Sequence, residues 1–524
     1  MEETPVVVCG GGLVGLTAAV LLAHHGIPPL VVERHPGTSQ LPKSRSLTVR
    51  SMEVFRSAGI EDALRAVPRS VLNRYTDVLG APDLVGAEEY RTSRPAPRAA
   101  DPLSPTTAIM VDQDAVEPVL REEAARLGAR LRFGTELEEF EQDGDHVLLR
   151  LRERRSGSVS EVRTRYLIAA DGHRSPIRSK LGIEVDRVGQ AQPIVNIPFE
   201  ADLSGPLAGR PIALAYLSRP EPNTILTRLD RDDRWVLMVP EGSGAWDEAG
   251  CTAAIRAAIG DPAVPFSLMP LYESAPVQTW ELASWTARRF RAGNILLTGD
   301  SAHVMAPAGG LAGNTGIQDA HNLAWKIALV CSGAAGDGLL DTYEAERRPV
   351  ALMTGDYCRA RQQGRTSRAG EQTTTVDPLS MSLGYHQYST AVAASGDPST
   401  VTRATELVGA PGTRLPHGWL RRSAAQVSTV DLSARGFHLL AGPDGGKWVL
   451  AARAAADQHG LPLTADLLGA DLHPTPDFDP GGALALRPDE ALLTRPDGYV
   501  AWRSPEGADP AAALETVLTA VLAH

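Results

Sequence analysis

The chain has 524 residues, 43% hydrophobic and 22% charged, with a formal net charge of -12. That length and balance describe a globular protein of several domains. They exclude a nucleic-acid surface, since no basic stretch interleaved with aromatics offsets the acidic charge. No apolar run reaches membrane-spanning length, and the chain starts directly on a strand rather than on a basic, apolar leader, so a cytoplasmic protein with no membrane partner is expected. Cys9, Cys251, Cys331 and Cys358 are widely spaced and form no CxxC pair, so neither a disulfide framework nor a metal site is expected.

The first element is an apolar, β-branched run ending at Cys9, followed by Gly10-Gly11-Gly12-Leu13-Val14-Gly15 and a helix-forming stretch from Leu16 to His24. The glycines therefore occupy a strand-to-helix turn. Gly10 permits the tight turn, Gly12 lets a pyrophosphate approach the backbone, and Gly15 lets helix and strand pack closely. A second strand, Pro29 to Val32, ends at Glu33, where a carboxylate accepts hydrogen bonds from a ribose. This predicts a Rossmann-like dinucleotide-binding unit.

Further along, Val111 to Pro118 leads into a helical pattern from Leu120 to Leu127, then strands near 129–133, 147–151 and 166–169. The last of these runs into Asp171-Gly172-His173-Arg174-Ser175-Pro176-Ile177-Arg178. Residues 186–280 alternate apolar and polar with Pro and Gly turns, as at 212–217, 224–229 and 234–239, and predict an inserted antiparallel sheet. A buried strand then ends at Gly299-Asp300-Ser301-Ala302-His303. Ala306 to Asn314 follows, rich in glycine, before a long helix from about Thr315 to Cys331. Residues 361–377 read as an exposed loop, and the region after the Pro/Gly-rich 409–416 as a separate α/β domain. Only one GxGxxG is present, so a nicotinamide cofactor has no dinucleotide domain of its own.

With these segments in view, the chain resembles the class A flavoprotein monooxygenases, and within them the aromatic polyketide hydroxylases of anthracycline, tetracenomycin and angucycline type. The motifs are those above together with Arg45 and Arg50, Gln113, Asp319 to Lys326 and Tyr343 to Pro349. The resemblance implies an α/β fold: a Rossmann-like FAD-binding domain (1–72, 103–185 and 281–360), an inserted substrate-binding sheet (73–102 and 186–280), a helical or loop connection (361–408) and a thioredoxin-like C-terminal domain (409–524).

The resemblance also implies FAD as cofactor and NADPH or NADH as co-substrate. It places the pyrophosphate over Gly10, Gly12, Leu13, Val14 and Gly15, the adenosine at Glu33 and Arg34, and the phosphate and ribityl region at Arg45, Gln113, Gly299 and Asp300. Asp171 and Gly172 would serve both FAD and the nicotinamide. Pro307, Gly310, Ala312, Gly313 and Asn314 would border the isoalloxazine, with Pro307, Gly310 and Asn314 positioning it for catalysis through backbone N–H groups at the helix start. Ala306 stands where the family usually has a second proline. His303 reads as a structural hydrogen-bonding residue rather than a base.

The reaction implied is hydroxylation of a polycyclic aromatic polyketide by dioxygen through a flavin C4a-hydroperoxide. A Baeyer-Villiger oxygenation, hydroxylation of a smaller phenol, and a non-catalytic flavin-binding protein are the alternatives, and the chain is expected as a monomer or homo-oligomer. Tyr216, Trp235 and Met238 on the inserted sheet are the candidates facing the substrate rings.

Overall fold

The computed structural model describes residues 1–39, 43–93, 102–242, 246–269, 277–366 and 376–524. Val6, Val7 and Val8 are all buried in the strand Glu2–Cys9 because it lies between two parallel neighbours, Leu30–Glu33 and Val159–Ala169. Arg130–Phe133 and Ile295–Leu297 extend the sheet on either side, also in parallel. An antiparallel strand, Arg291–Ala292, closes one edge, and the hairpin Thr135–Asp143/His146–Glu153 adds to Val159–Ala169. The helix Leu13–His24 is buried on nearly every side, which is why its sequence is apolar all round.

Register decides where the site lies. Cys9 pairs with Val32 and with Ala169, and Ala169 pairs with Leu297. Three adjacent parallel strands therefore end together, and Gly10, Asp171 and Gly299 leave from that one edge. Ligands of open parallel sheets bind outside the carboxyl ends of the strands.

The second sheet runs Phe266–Leu268, Gln192–Ala201, Arg234–Pro240, Thr224–Arg228, Ile212–Leu217, Asp77–Ala81, Tyr90–Ser93, with Gln278–Leu282 also on Gln192–Ala201. It departs from the expected antiparallel sheet at one place. Ile212–Leu217 and Asp77–Ala81 run in parallel, because more than a hairpin separates them in the chain. The helix Glu248–Ile259, capped by Asp247 accepting from Gly250 N, covers one face with Cys251, Ala254, Ile255 and Ala258.

The C-terminal sheet, Leu463–Leu467, Phe437–Ala441, Ala491–Thr494, Val500–Arg503, carries the helices Gly446–His459 and Pro510–Leu522. Phe437, Leu439 and Trp448 belong to the same buried cluster as Val7, Leu16 and Trp325, and Trp325 meets Phe437 edge-on at 5.7 Å. Buried ion pairs cross the same seam, Arg495 to Glu346 at 2.5 Å and Arg414 to Glu53. The helix Asp341–Thr366 continues into the stretch expected as an exposed loop, because Arg361, Gln362 and Gln363 are good helix formers; residues 367–375 of that stretch lie outside the described residues. Among the described residues no helix is long and apolar enough to cross a membrane.

Candidate active site

The glycine turn is sterically obligatory. Gly10 has φ +114, and a Cβ there would meet Ala170 O at 2.1 Å; one on Gly15 would meet Gly10 O at 1.9 Å. Gly12 is the N-cap of Leu13–His24 and provides no side-chain hydrogen bond; the Leu13 N–H meets the Glu117 carboxyl, and the next N–H groups of the first turn face the anion-binding end of the helix. The side chains of Leu13 and Val14 turn the other way: Leu13 lies against Gly313, and Val14 against Gly299 and Gly316. The phosphate turn thus packs directly on the third motif and on the helix Ala312–Ser332.

Glu33 reaches back to this turn. Its Oε2 accepts from Gly11 N at 2.7 Å, and Oε1 accepts from His35 N at 2.8 Å beside His35 Nδ1 at 2.6 Å. A carboxylate has about four lone-pair sites, so acceptor capacity remains for ribose hydroxyls. Arg34 is exposed at the same rim.

Arg45, expected at the phosphate, is engaged by other partners among the described residues. Nε pairs with Asp112 Oδ1 at 2.5 Å, Nη1 donates to Arg228 O at 2.6 Å, and Nη2 donates to Leu229 O at 2.7 Å and Ser70 Oγ at 3.2 Å. Its fork is spent joining the first sheet's domain to the second sheet. A lysine, with one nitrogen in place of the fork, could not serve the Asp112 carboxylate, both carbonyls and the Ser70 hydroxyl together, which explains why arginine stands there. Gln113 is likewise committed, accepting from Ser44 N at 3.1 Å and donating to Glu117 Oε1 at 2.7 Å.

Asp171 supports the start of the short helix Pro176–Lys180, whose N-cap is Ser175: Oδ1 accepts from Ser175 Oγ at 2.6 Å and Oδ2 from Ile177 N at 3.1 Å. Burial pushes its carboxyl up, and those donors oppose the shift. Gly172, at φ +83 with open space around it, leaves a gap. Arg178 ties the second motif to the third by donating to His173 O and to Ser301 O, both at 3.0 Å, and stacks over Trp285 at 4.4 Å. Gly299 has φ +60, and a Cβ there would meet Val14 at 2.9 Å. Asp300 beside it is exposed, with no hydrogen-bond partner for its carboxylate among the described residues.

The loop before the helix Ala312–Ser332 is shaped by Gly309 at φ +110 and Gly310 at φ +68, with Pro307 exposed and Ala312 and Gly313 half-buried. Asn314 ties it down. Its Oδ1 accepts from Thr48 N at 2.9 Å and Ser51 Oγ at 2.7 Å, and its Nδ2 donates to Gly310 O at 2.7 Å and Ser46 O at 3.1 Å. The side chain is fully used in positioning. Leu311, the N-cap, makes no side-chain bond to the helix start, and no acidic residue lies in the first turn.

On the second sheet, pairing sets Tyr216, Ile225, Met238 and Asn196 in one row across four strands. Tyr216 and Met238 are half-buried there, and Trp280 joins the face by donating Nε1 to Asn196 Oδ1 at 2.8 Å. Leu282, two residues beyond Trp280, packs with Met305, Ala306 and Leu311, so this face runs into the loop. Trp235 is a correction. Strand alternation turns it to the opposite face, where it is 1% exposed, donates to Ala201 O at 3.1 Å and lies under Arg228 at 4.1 Å.

Two residues escaped the sequence reading. Tyr357 and Arg361 approach Gly309 within 3.8 Å of where a Cβ would be, with Arg361 Nη1 donating to Tyr357 OH at 3.3 Å. Their i, i+4 spacing on the helix Asp341–Thr366 is the available signal, obscured because Arg361 opens the Gly-, Ser- and Thr-rich stretch expected as a loop. Among the described residues no group of His, Cys, Asp or Glu could hold a metal.

The residues fit FAD. A cradle closed to any side chain, a helix N-terminus with no cap from Gly12, Glu33 with spare acceptor capacity and Asp300, unpartnered among the described residues, stand at adjacent strand ends. Fold and site together define a flavoprotein, with a sheet carrying aromatic residues running up to the glycine-rich loop. The FAD binding domain family matches residues 3–356 and the aromatic-ring hydroxylase C-terminal family matches residues 408–524, so the chain belongs to the FAD-dependent aromatic-ring monooxygenases. It is 40% identical to tetracenomycin B2 monooxygenase-dioxygenase of Streptomyces olivaceus, over 100% of this chain and 99% of that one. It is 39% identical to 4-methyl-5-nitrocatechol 5-monooxygenase of a Burkholderia species, over 99% and 98%. A crystal structure of aklavinone-11 hydroxylase with FAD and aklavinone superposes with a TM-score of 0.89 at 35% identity, covering 100% of both chains. The protein is an FAD-dependent monooxygenase, and NAD(P)H is the co-substrate typical of its class.

Proposed function

We propose that this monooxygenase uses dioxygen to hydroxylate a polycyclic phenol of the aromatic polyketide kind. The observation that carries the reading is the half-buried row of Tyr216, Ile225, Met238 and Asn196, extended by Trp280 and Leu282 up to the loop Ala306–Leu311. A flat, largely apolar face with a few polar groups suits fused aromatic rings. The similarity to proteins named for tetracenomycin and aklavinone supports it.

FAD supplies the oxygen chemistry when bound and reduced. In this reading Gly10 to Gly15 hold the pyrophosphate, Glu33 the ribose and Asp300 the ribityl hydroxyls. Gly310 and Asn314 fix the loop whose N–H groups meet charge developing on the ring system. Gly172 leaves room for the nicotinamide.

The test is mass analysis of products from tetracyclic, angular and single-ring phenols under labelled dioxygen with NADPH. One labelled oxygen gained by a fused-ring phenol without ring opening supports the proposal. Turnover of nitrocatechols alone would support the smaller-phenol reading, which the 39% identity to the Burkholderia enzyme favours. Insertion beside a carbonyl would indicate the Baeyer-Villiger outcome.

A further inference from the structure

Glu117 stands one turn into the helix Gln113–Arg126 and is 1% exposed. Its carboxyl lies against the phosphate turn: a Cβ on Gly12 would sit 3.6 Å from Oε1. The hydrogen bonds it accepts come from neutral groups, Gln113 Nε2 to Oε1 at 2.7 Å, Ser39 N to Oε2 at 2.7 Å, and the Leu13 N–H of the phosphate turn. No lysine or arginine pairs with it among the described residues, and an unpaired carboxylate is costly to bury. In the FAD reading the anion comes to the same turn, because Gly12 begins the helix and the Leu13 N–H of its first turn already touches the Glu117 carboxyl.

We propose that Glu117 carries a proton in the FAD-bound protein, so that FAD binding takes up a proton at this carboxyl and a neutral acid, not a second anion, faces the pyrophosphate. The inference rests on the FAD assignment. Protonation also changes the group's hydrogen bonding, since a carboxylic acid has an O–H to donate where a carboxylate only accepts.

The surroundings agree. Burial pushes the Glu117 carboxyl up, opposed in part by the Ser39 and Leu13 N–H groups, the Gln113 amide and Lys43. Lys43, on the facing loop, is exposed. Glu33, at the neighbouring Gly11, is occupied by Gly11 N and His35. On Glu117's own helix, Asp114 is pushed up by burial and then by Asp112, while Arg121 stacks over Phe133. Arrival of a phosphate anion raises the carboxyl further. The protonated form is then the one that binds: affinity is flat below the carboxyl's value in the FAD-free protein. Above that value it falls by up to about tenfold per pH unit until the FAD-bound value is reached.

Deflavinated full-length protein titrated with FAD by calorimetry, in phosphate and in Tris, reads the proton directly, because the two buffers differ in ionisation enthalpy. The expected result is uptake approaching about one proton per FAD, with Kd rising as pH is raised. Glu117→Gln should abolish both the uptake and the pH slope while keeping Kd near the wild-type acid-side value. An infrared difference spectrum of the wild-type chain should gain a protonated-carboxyl band on FAD addition, a readout independent of how the variant folds. Equal binding enthalpies in both buffers with no new carboxyl band would overturn the proposal, as would an unchanged pH slope in folded Glu117→Gln. A chain that takes no FAD at any pH removes the cofactor assignment as well; FAD uptake without protons removes this inference alone.

Discussion

His303 Nε2 and Asp319 Oδ2 lie 2.6 Å apart with both side chains wholly buried. The pair joins the strand-end turn that carries Asp300 to the helix that follows the flavin loop. Asp319 also accepts from Arg347 Nε at 2.8 Å and from Gly299 N at 3.3 Å. Two walls of the cofactor site are therefore held by one carboxylate, and His303 has a structural partner rather than a free role as a base.

Asp319→Asn should cost about 3–5 kcal/mol, the range for removing one charge from a buried pair, because it leaves Arg347 without its counter-charge. Urea denaturation of the two proteins at neutral pH measures it. Burial alone would raise the Asp319 carboxyl, but His303 and Arg347 outweigh it and hold the group below its ordinary value. Its folded value lies below the unfolded one, so the stabilisation is fully present above about pH 4. It is lost as pH falls through the folded value. The wild-type chain should lose stability on acidification more steeply than Asp319→Asn; parallel acid profiles would remove this assignment.

Asp300→Ala should leave the fold intact, since the side chain is exposed and pairs with nothing described, while FAD affinity falls roughly 10- to 100-fold through loss of hydrogen bonds to a charged acceptor. Flavin fluorescence on dilution gives the affinity, and circular dichroism gives the fold. Unchanged FAD retention would refute the ribityl role.

Arg45→Ala should behave in the opposite way. Its guanidinium bridges Asp112 to the carbonyls of Arg228 and Leu229, so its removal should cost about 2 kcal/mol, below the range for a wholly buried pair because the side chain is partly exposed. Thermal unfolding should shift down, with FAD Kd moving less than in Asp300→Ala. A selective loss of FAD with unchanged stability would return Arg45 to the phosphate.

The contrast between these two residues shows what the sequence carries. Gly10, Gly15 and Gly299 were legible because their backbone positions admit nothing larger, a constraint written into residue type. That Gly10, Asp171 and Gly299 share one sheet edge follows from strand type and parallel order, which buried apolar runs announce. The partners Arg45 holds are not legible in the sequence, because an arginine's partner depends on which sheet lies across from it, here 183 residues away in the chain at Arg228 O. Glu117 was passed over for the same reason: its neighbour Gly12 is distant in sequence and close only through packing.

Trp235 and Met238 differ by three positions on one strand and so point to opposite faces, which gives the sharpest test of the substrate face. Met238→Ala and Tyr216→Phe should alter KM or product position for a fused-ring phenol, with unfolding shifted by less than about 1 kcal/mol because both side chains are only half-buried. Trp235→Ala should cost about 3–5 kcal/mol through the cavity it opens beneath Glu248–Ile259. Whatever Trp235→Ala enzyme remains folded should show KM close to wild type. Steady-state kinetics with NADPH consumption matched to product, beside thermal unfolding of each variant, separates the two faces. An unaltered KM and product in both Tyr216→Phe and Met238→Ala, with a changed KM in folded Trp235→Ala, would place the substrate on the other side of the sheet.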